Sequence, residues 1–449
     1  MSAHPLQVLV DEFSKVLAND PGPLDHHSHL YVHHLHGAGA EDVIVLLERA
    51  IRRSDEEGLY YFSGQRGTGK STELKRLAAV LNGTDDTRAY IVDAMDYLSD
   101  THPVDTVTLL LVIAIAFADR LSQPDALGQR PEPPGGLLKR FATWLQSEVE
   151  ITGVTVGGVR AEFRKQQQSI AQRLQGFDLS RRERVMAECC GYISQMADEV
   201  RTHWQRSKVV LIVDSLERLR GVGSEAKDMF ARIVRMFDGD LNQLRVPGVQ
   251  MVYAVPPYLP YLTNVKALVR LFMLASVRVY EAPSTGRRVP RGSGVAAMRG
   301  VVERRFSGWR EVISEGALDR LILASGGDMR QLLRRLLIDT LDAAYFNPER
   351  LPLAAHDEII GTVIRRHEGD FENLVVRDEY ALLKRIGDDN SLSLGRRDDL
   401  SVVAHFFDVR AVLNYRNGED WLDLNPLLWP LIDGWTPPPS PVHEPQSTA

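Results

Sequence analysis

The chain has 449 residues, of which 44% are hydrophobic and 25% are charged, and its net charge is −7. This length allows two or three domains with their own cores, and the negative charge argues against a protein that coats nucleic acid non-specifically. The two cysteines, Cys189 and Cys190, are adjacent, which excludes a disulfide framework and indicates a reducing compartment.

The sequence also indicates where the protein resides. Its first residues lack a basic region followed by an apolar signal segment. The longest apolar stretch, 107–118, is far shorter than the ~20 residues that a membrane-spanning helix needs. We therefore expect a cytoplasmic protein without membrane contacts.

Residues 1–55 predict an N-terminal helical segment, because apolar residues recur at helical spacing in two stretches. Six histidines lie between these stretches: His26, His27, His29, His33, His34 and His36. One interpretation is a metal site, since His29 and His33 are four residues apart. The other is a polar segment that packs beside a ligand pocket. Only Asp25 could complete a ligand set there, which favours the polar segment.

Residues 56–283 predict an α/β core. Short β-prone runs near 59–62, 88–94, 209–213, 249–255 and 271–281 alternate with helical stretches, which is typical of a parallel sheet with helices on both faces. Residues 123–206 begin with a Pro/Gly-rich break and separate the second and third strands. We expect this insertion to project from the fold.

The remaining residues predict three further segments. Residues 284–350 are helical in pattern. Residues 351–433 predict helices followed by a hairpin at Asn417–Gly418, the pattern of a winged helix. The Pro-rich residues 434–449 predict a disordered tail.

The sequence GQRGTGKST follows the first strand, opens a helix and fits the pattern GxxxxGKS. Glycines let the backbone N–H groups of such a loop point at phosphate oxygens, and the helix N-terminus adds a favourable field. We expect Lys70 to reach the β- and γ-phosphates of a nucleotide and Ser71 to ligate Mg²⁺. The predicted nucleotide-binding residues are Gly64, Gln65, Arg66, Gly67, Thr68, Gly69, Lys70, Ser71 and Thr72.

A second candidate lies in VVLIVDSLERL, where Asp214 ends the third strand. A carboxylate at this place holds Mg²⁺, usually through water. The nearest following carboxylate is Glu217. It either polarises an attacking water molecule, or it faces solvent or pairs with Arg218 or Arg220.

The third candidate is SGGDMRQLLRRLL, in which Asp328 is placed to cap a helix. The apolar face of this helix comprises Met329, Leu332, Leu333, Leu336 and Leu337. Arg330 lies in the first turn, where a cation is unfavourable unless an anion is nearby. A γ-phosphate would be such an anion; the alternative is a solvated or structural arginine.

Together these motifs resemble Walker A, Walker B and sensor 2 of the AAA+ ATPases and the related STAND-type signalling NTPases. The resemblance implies a P-loop NTPase core, a helical lid (284–350) and a winged helix (351–433). It implies ATP and Mg²⁺ as cofactors, bound by Lys70, Ser71, Asp214 and Arg330, with Glu217 as the carboxylate that activates water. Two departures are Ser215, where AAA+ proteins usually carry glutamate, and the fourth strand, which ends in VYAVPP without a polar sensor-1 residue.

The implied function is a slowly hydrolysing, ATP-dependent regulatory switch. It would control an effector protein or its own assembly, as regulators in bacterial signalling and antiviral defence do. Arg232 and Arg235 are candidates for an arginine finger reaching a neighbouring subunit. The alternative is an ATP-dependent DNA-binding protein of the initiator or transposition type, which the acidic wing residues Glu419 and Asp420 disfavour. A small-molecule kinase is disfavoured by the accessory domains.

Overall fold

The computed structural model describes residues 5–19, 22–37, 39–55, 57–99, 103–123, 136–152, 159–220, 226–284, 288–392 and 399–436. Its centre is a five-stranded sheet in the order β2-β3-β4-β1-β5, in which all pairs are parallel. The strands are β1 (Gly58–Gly64), β2 (Thr87–Asp93), β3 (Lys208–Asp214), β4 (Gln250–Val255) and β5 (Arg270–Leu274). The predicted α/β architecture with a parallel sheet is thus confirmed.

Helices account for most of the remaining chain. They are α1 (Pro5–Ala18), α2 (Val43–Arg53), α3 (Lys70–Asn82), α4 (Thr106–Leu121), α5 (Leu137–Glu148), α6 (Val159–Gln175), α7 (Leu179–Trp204), α8 (Ala226–Val234), α9 (Leu259–Leu262), α10 (Val265–Leu268), α11 (Gly292–Arg305), α12 (Glu315–Ala324), α13 (Met329–Gln331), α14 (Leu337–Tyr345), α15 (Glu358–Glu372), α16 (Tyr380–Asp389), α17 (Asp399–Asp408) and α18 (Trp429–Asp433). A π-helical turn, Leu332–Leu336, joins α13 to α14. Within the described ranges, none of the helices combines the length and apolar character needed to cross a membrane.

The strands are almost continuously apolar because both faces of the sheet are covered. One face packs against α2 and α3 through side chains such as Ile212 and Ala254. The opposite face packs in a second cluster with α4 and α7. The strand β5 ends at Leu274, earlier than the sequence predicts, and two residues later the Ser276 N–H donates to Asn414 O of the C-terminal hairpin at 3.0 Å.

The helices α5, α6 and α7 of the 123–206 insertion do not project from the fold. The helix α4 is apolar on all sides and buried along nearly its whole length, so it needs a second layer of cover. The helices α5, α6 and α7 supply this layer and join the same apolar cluster as the sheet. The expectation of a projecting insertion is therefore wrong for these helices.

Two further groups of elements lie outside the sheet. The helix α1 packs with α11, α12 and α14 around a separate apolar cluster. The C-terminal unit consists of α15 to α18 and the antiparallel hairpin β6 (Val412–Asn417) and β7 (Glu419–Leu424). The predicted hairpin is confirmed, with Gly418 at φ 78°. Residues 437–449 of the predicted tail lie outside the described residues.

Candidate functional site

The loop between β1 and α3 has a backbone suited to an anion. Gly67 and Gly69 have φ angles of 92° and 93°, in the left-handed region that favours glycine. Gly69 precedes the first turn of α3 and provides no side-chain cap for its N–H groups. Uncapped N–H groups at a helix N-terminus bind anions. The loop therefore has the local geometry that the sequence pattern predicts.

Lys70 connects this loop to the segment after β3. Its Nζ donates to Gln65 O at 2.8 Å and lies 3.1 Å from Glu217 Oε1. The side chains of Lys70 and Glu217 are only 3% and 8% exposed. The first two sequence motifs, which are more than a hundred residues apart, thus meet in a buried ion pair.

Asp214 lies at the carboxyl end of β3, with Ser71 opposite it. Burial, together with the negative charge of Glu217, raises the pKa of Asp214 to about 6. Interactions with the Ser71 side chain and with the Ser215 N–H, at 2.7 Å, act in the opposite direction. A hydroxyl and a carboxylate facing each other fit the oxygen-ligand preference of Mg²⁺.

Glu217 has one oxygen without a partner. It lies in a short 3-10 turn, Leu216–Arg218, that follows Ser215, and Ser215 itself has a left-handed φ of 70°. Among the described residues, Glu217 Oε2 has no hydrogen-bond partner although it is buried. An unsatisfied buried carboxylate oxygen is costly unless a ligand or water supplies a donor. Glu217 is therefore placed to accept a proton or a hydrogen bond at this site.

Asp93 is a carboxylate that the sequence reasoning missed. It ends β2 and pairs in register with Asp214, so both side chains lie on the sheet face that α3 covers. The Ser215 side chain interacts with Asp93, whose pKa is raised mainly by burial. The sequence does contain a signal for Asp93, because β2, like β3, is an apolar run that ends on an aspartate.

The third motif packs directly on the loop. Asp328 accepts hydrogen bonds from the N–H groups of Arg330 at 2.8 Å and Gln331 at 3.0 Å, which confirms the predicted helix cap. A Cβ atom added at Gly67 would lie 2.7 Å from Arg330 Cβ. At Gly69, it would lie 3.2 Å from Met329 Cε. The chain thus brings Arg330 to the glycine loop.

The N-terminal polar segment packs along α3. The Leu24 N–H donates to Thr72 Oγ1 at 3.0 Å, and the Tyr31 hydroxyl donates to Glu73 Oε1 at 2.8 Å. His36 lies beside Gly69 with Nδ1 3.0 Å from Ala275 O, and burial lowers its pKa to about 4. These contacts are those expected of a polar segment beside the loop.

The residues of the histidine segment that could hold a metal ion are not the predicted pair, His29 and His33. Asp25, His26 and His27 each offer a ligand atom, and these atoms lie within 4.8 Å of one another. Within the described part of the chain, His29 and His33 belong to no such group. Asp25 and His27 are exposed.

The C-terminal unit contacts both the loop and the third motif. Gln65 Nε2 donates to Val412 O. Arg410 Nη1 donates to Asp328 Oδ2 at 3.0 Å, and the Tyr415 hydroxyl donates to Gly326 O at 2.6 Å. No sequence motif predicts these contacts, because two of the three acceptors are backbone carbonyl oxygens, which every residue has.

Asp408, at the end of α17, lies near two arginines of the core. Burial raises its pKa to about 7, while the charges of Arg220 and Arg66 lower it. An acid whose pKa is higher in the folded state stabilises the fold at low pH, and this contribution is lost as pH rises through the folded pKa. For Asp408 the loss falls between about pH 4 and pH 7.

We expect Asp408→Asn to remove this pH dependence. Without nucleotide, the wild type should lose on the order of 1–3 kcal/mol relative to the variant between pH 5 and pH 8, since an asparagine does not ionise. The measurement is the free energy of unfolding of both proteins at a series of pH values. If the free energies of unfolding of both proteins depend on pH in the same way, Asp408 does not titrate with a raised pKa in the folded protein.

The site thus unites three distant segments of the chain: residues 64–72, 214–217 and 328–330. No protein-family model matches this chain, and no curated protein matches it. The functional interpretation therefore depends on the residues of the site themselves.

Proposed function

We propose that the chain is an ATP-binding, slowly hydrolysing regulatory switch: a P-loop ATPase of the AAA+/STAND type with a helical lid and a winged helix. The observation that carries this proposal is the buried contact between Lys70 Nζ and Glu217 Oε1, at 3.1 Å, with Ser71 opposite Asp214. It brings the lysine proposed for the phosphates into contact with the proposed base, beside two oxygens that fit Mg²⁺.

Each residue has a distinct task in this proposal. Lys70 transfers from Glu217 to the β- and γ-phosphates when nucleotide binds. Ser71 and Asp214 would hold Mg²⁺. Arg330, which packs on Gly67, contacts the phosphates from the lid. Mg²⁺ would neutralise phosphate charge and orient the terminal phosphate.

Slow turnover follows from the residues after β3. Ser215 has no carboxylate to activate water, so the task falls to Glu217. Glu217 is paired with Lys70 and has to turn to water once Lys70 has moved to the phosphates. A base that first has to leave an ion pair suits a switch better than a fast motor.

Regulation would come from the C-terminal unit. This unit is bonded to the loop through Gln65 and to the lid through Asp328, so a change at the phosphates alters both attachments. Binding of an effector protein or self-association would follow its release. Such a switch would operate in the cytoplasm, as in bacterial signalling or antiviral defence.

DNA remains the alternative partner. The hairpin of the C-terminal unit carries Glu419 and Asp420, and Asp420 Oδ2 lies 3.4 Å from Lys266 Nζ of the core. An acidic wing that is paired with the core is a poor contact for phosphates. ATP-dependent, salt-sensitive retardation of duplex DNA in a gel would favour this alternative over the effector-binding switch.

Lys70→Ala tests the proposed function. The variant should weaken ATP and ADP binding by about 100-fold or more, because the phosphates lose their buried cation. It should also lose any ATP-dependent assembly. The measurements are titration with a fluorescent ATP analogue and mass photometry with ATP, with ADP and without nucleotide.

The matched control is Lys75→Ala. Lys75 lies on the same helix but is exposed, and its Nζ donates to Pro23 O. This variant should bind ATP as the wild type does. Equal ATP binding by Lys70→Ala and the wild type would contradict the proposed function.

A further inference from the structure

Three consecutive residues of the N-terminal polar segment, Asp25, His26 and His27, bring metal-ligand atoms close together. Each residue offers one ligand atom, and these atoms lie within 4.8 Å of one another. His26 Nδ1 is 3.5 Å from Asp25 Oδ1, and the centroids of the His26 and His27 rings are 3.8 Å apart. Ligand atoms at about 2.1 Å from a tetrahedral ion lie about 3.4 Å from one another. Small rotations of these side chains are therefore enough to place all three around one ion.

Two of these groups are held in the form that a metal ion needs. The His27 N–H donates to Asp25 Oδ1 at 2.8 Å, and this bond lowers the pKa of Asp25. Burial and then the charge of His27 lower the pKa of His26, while the Asp25 carboxylate acts in the opposite direction. Asp25 is therefore ionised at neutral pH, and the neutral His26 ring has a nitrogen lone pair for a metal ion.

The backbone on both sides of the three residues is attached to helices of the fold. Lys75 Nζ of α3 donates to Pro23 O at 2.8 Å. Arg304 Nη1 of α11 donates to His29 O at 2.9 Å. Residues 25–27 lie between these two attachments, so an ion that binds them does not have to order a free segment.

Two cations of α3, Lys75 and Arg76, act on this set of ligands. Arg76 has anionic partners, because its Nε lies 3.0 Å from Glu73 Oε2 and it also pairs with Asp42. Lys75 is exposed, so water and salt screen its charge. Neither cation therefore prevents a metal ion from binding beside it.

We propose that Asp25, His26 and His27 bind a divalent transition-metal ion, with Zn²⁺ as the representative of its class. Two imidazole nitrogens and one carboxylate oxygen are a ligand set for Zn²⁺, whereas Mg²⁺ prefers oxygen ligands alone. Three protein ligands leave one tetrahedral position for water. This site is separate from the Mg²⁺ site proposed at Ser71 and Asp214, and it does not depend on ATP binding.

Titration of the full chain with Zn²⁺, without nucleotide, tests this inference. Isothermal titration calorimetry should show one site per chain in the wild type. His26→Ala and His27→Ala should each weaken binding about 100-fold or more, because loss of a group that merely supports a ligand already costs about 10- to 100-fold. Asp25→Asn keeps an acceptor for the His27 N–H but loses the charge, and it should weaken binding about 10-fold.

The matched control is His29→Ala. His29 is an exposed histidine of the same segment that is not one of the three ligands, and its backbone carbonyl remains available to Arg304. This variant and Lys70→Ala should both bind Zn²⁺ as the wild type does. Excess Mg²⁺ should not displace the Zn²⁺, because two of the ligands are imidazoles.

Four results would overturn the inference. They are the absence of a Zn²⁺ site in the wild type, unchanged affinity in any of the three ligand variants, displacement by Mg²⁺, and a loss in His29→Ala as large as that in His26→Ala. The last result would mean that Zn²⁺ binds the histidine-rich segment without a defined site. A wild type that binds Zn²⁺ but not ATP would overturn the proposed function and leave this site in place.

Discussion

Glu217→Gln is expected to lower ATP turnover about 100-fold or more while ATP binding is retained. Glutamine keeps an oxygen where Glu217 Oε1 meets Lys70 Nζ at 3.1 Å, but it cannot accept a proton from water. The measurement is phosphate release in single-turnover conditions, with ATP affinity determined in parallel. Because Lys70 also loses a competing charge, ATP affinity should stay equal or rise.

The control for this prediction is Glu73→Gln. Glu73 is also a buried carboxylate near the start of α3, but it bonds to Tyr31 and Arg76 rather than to Lys70. Its substitution should lower stability and leave turnover of the folded protein unchanged. Normal turnover in Glu217→Gln, together with a large loss in Asp93→Asn, would assign the base to Asp93.

The sequence was sufficient for the parts of the site that are local. In the 64–72 loop, the glycines, the lysine and the helix start are contiguous, so their spacing alone determines the backbone geometry. Asp214 is also a local feature, since it directly follows the continuous apolar run of β3. The cap at Asp328 is equally local.

Other parts depend on the order of strands and on distant packing. Asp93 becomes a neighbour of Asp214 only because β2 and β3 are adjacent in the sheet. The contact of Gln65 with Val412 O spans most of the chain and ends on a backbone carbonyl, which has no side-chain signature. Asp408 and Arg410 likewise reach the site through the docking of α17 and β6.

The position of the 123–206 insertion was predicted wrongly, although the sequence contains a signal for it. The helix α4 has no polar face, so it requires apolar neighbours on all sides. The sheet covers only one side. The following helices had to supply the other, which is why the insertion lies on the core instead of projecting.

The contacts of the C-terminal unit suggest how nucleotide binding would be transmitted. Gln65 lies in the 64–72 loop, where the phosphates are proposed to bind, and it donates to Val412 O of the hairpin. A phosphate bound in this loop would offer Gln65 Nε2 another acceptor. Loss of the contact with Val412, together with a change at the bond between Arg410 and Asp328, would weaken the attachment of the C-terminal unit to the third motif.

The position of the third motif depends on Gly327. This residue has φ 82°, and a Cβ atom there would lie 1.9 Å from Val277 O, on the segment that follows β5. Backbone packs against backbone at this point, so neither side can yield by moving a side chain. The close approach at Gly327 therefore fixes the start of α13 against the core, and the position of Arg330 depends on it.

We expect Gly327→Ala to lower the free energy of unfolding by about 3 kcal/mol or more, from the clash and the left-handed backbone together. Folded protein should bind ATP about 10-fold more weakly, because Arg330 shifts away from Gly67. Gly300→Ala is the matched control: it lies within α11 with no atom within 4 Å of the added Cβ. That variant should gain up to about 1 kcal/mol. Wild-type stability and ATP affinity in Gly327→Ala would show that this backbone contact does not hold α13 in place.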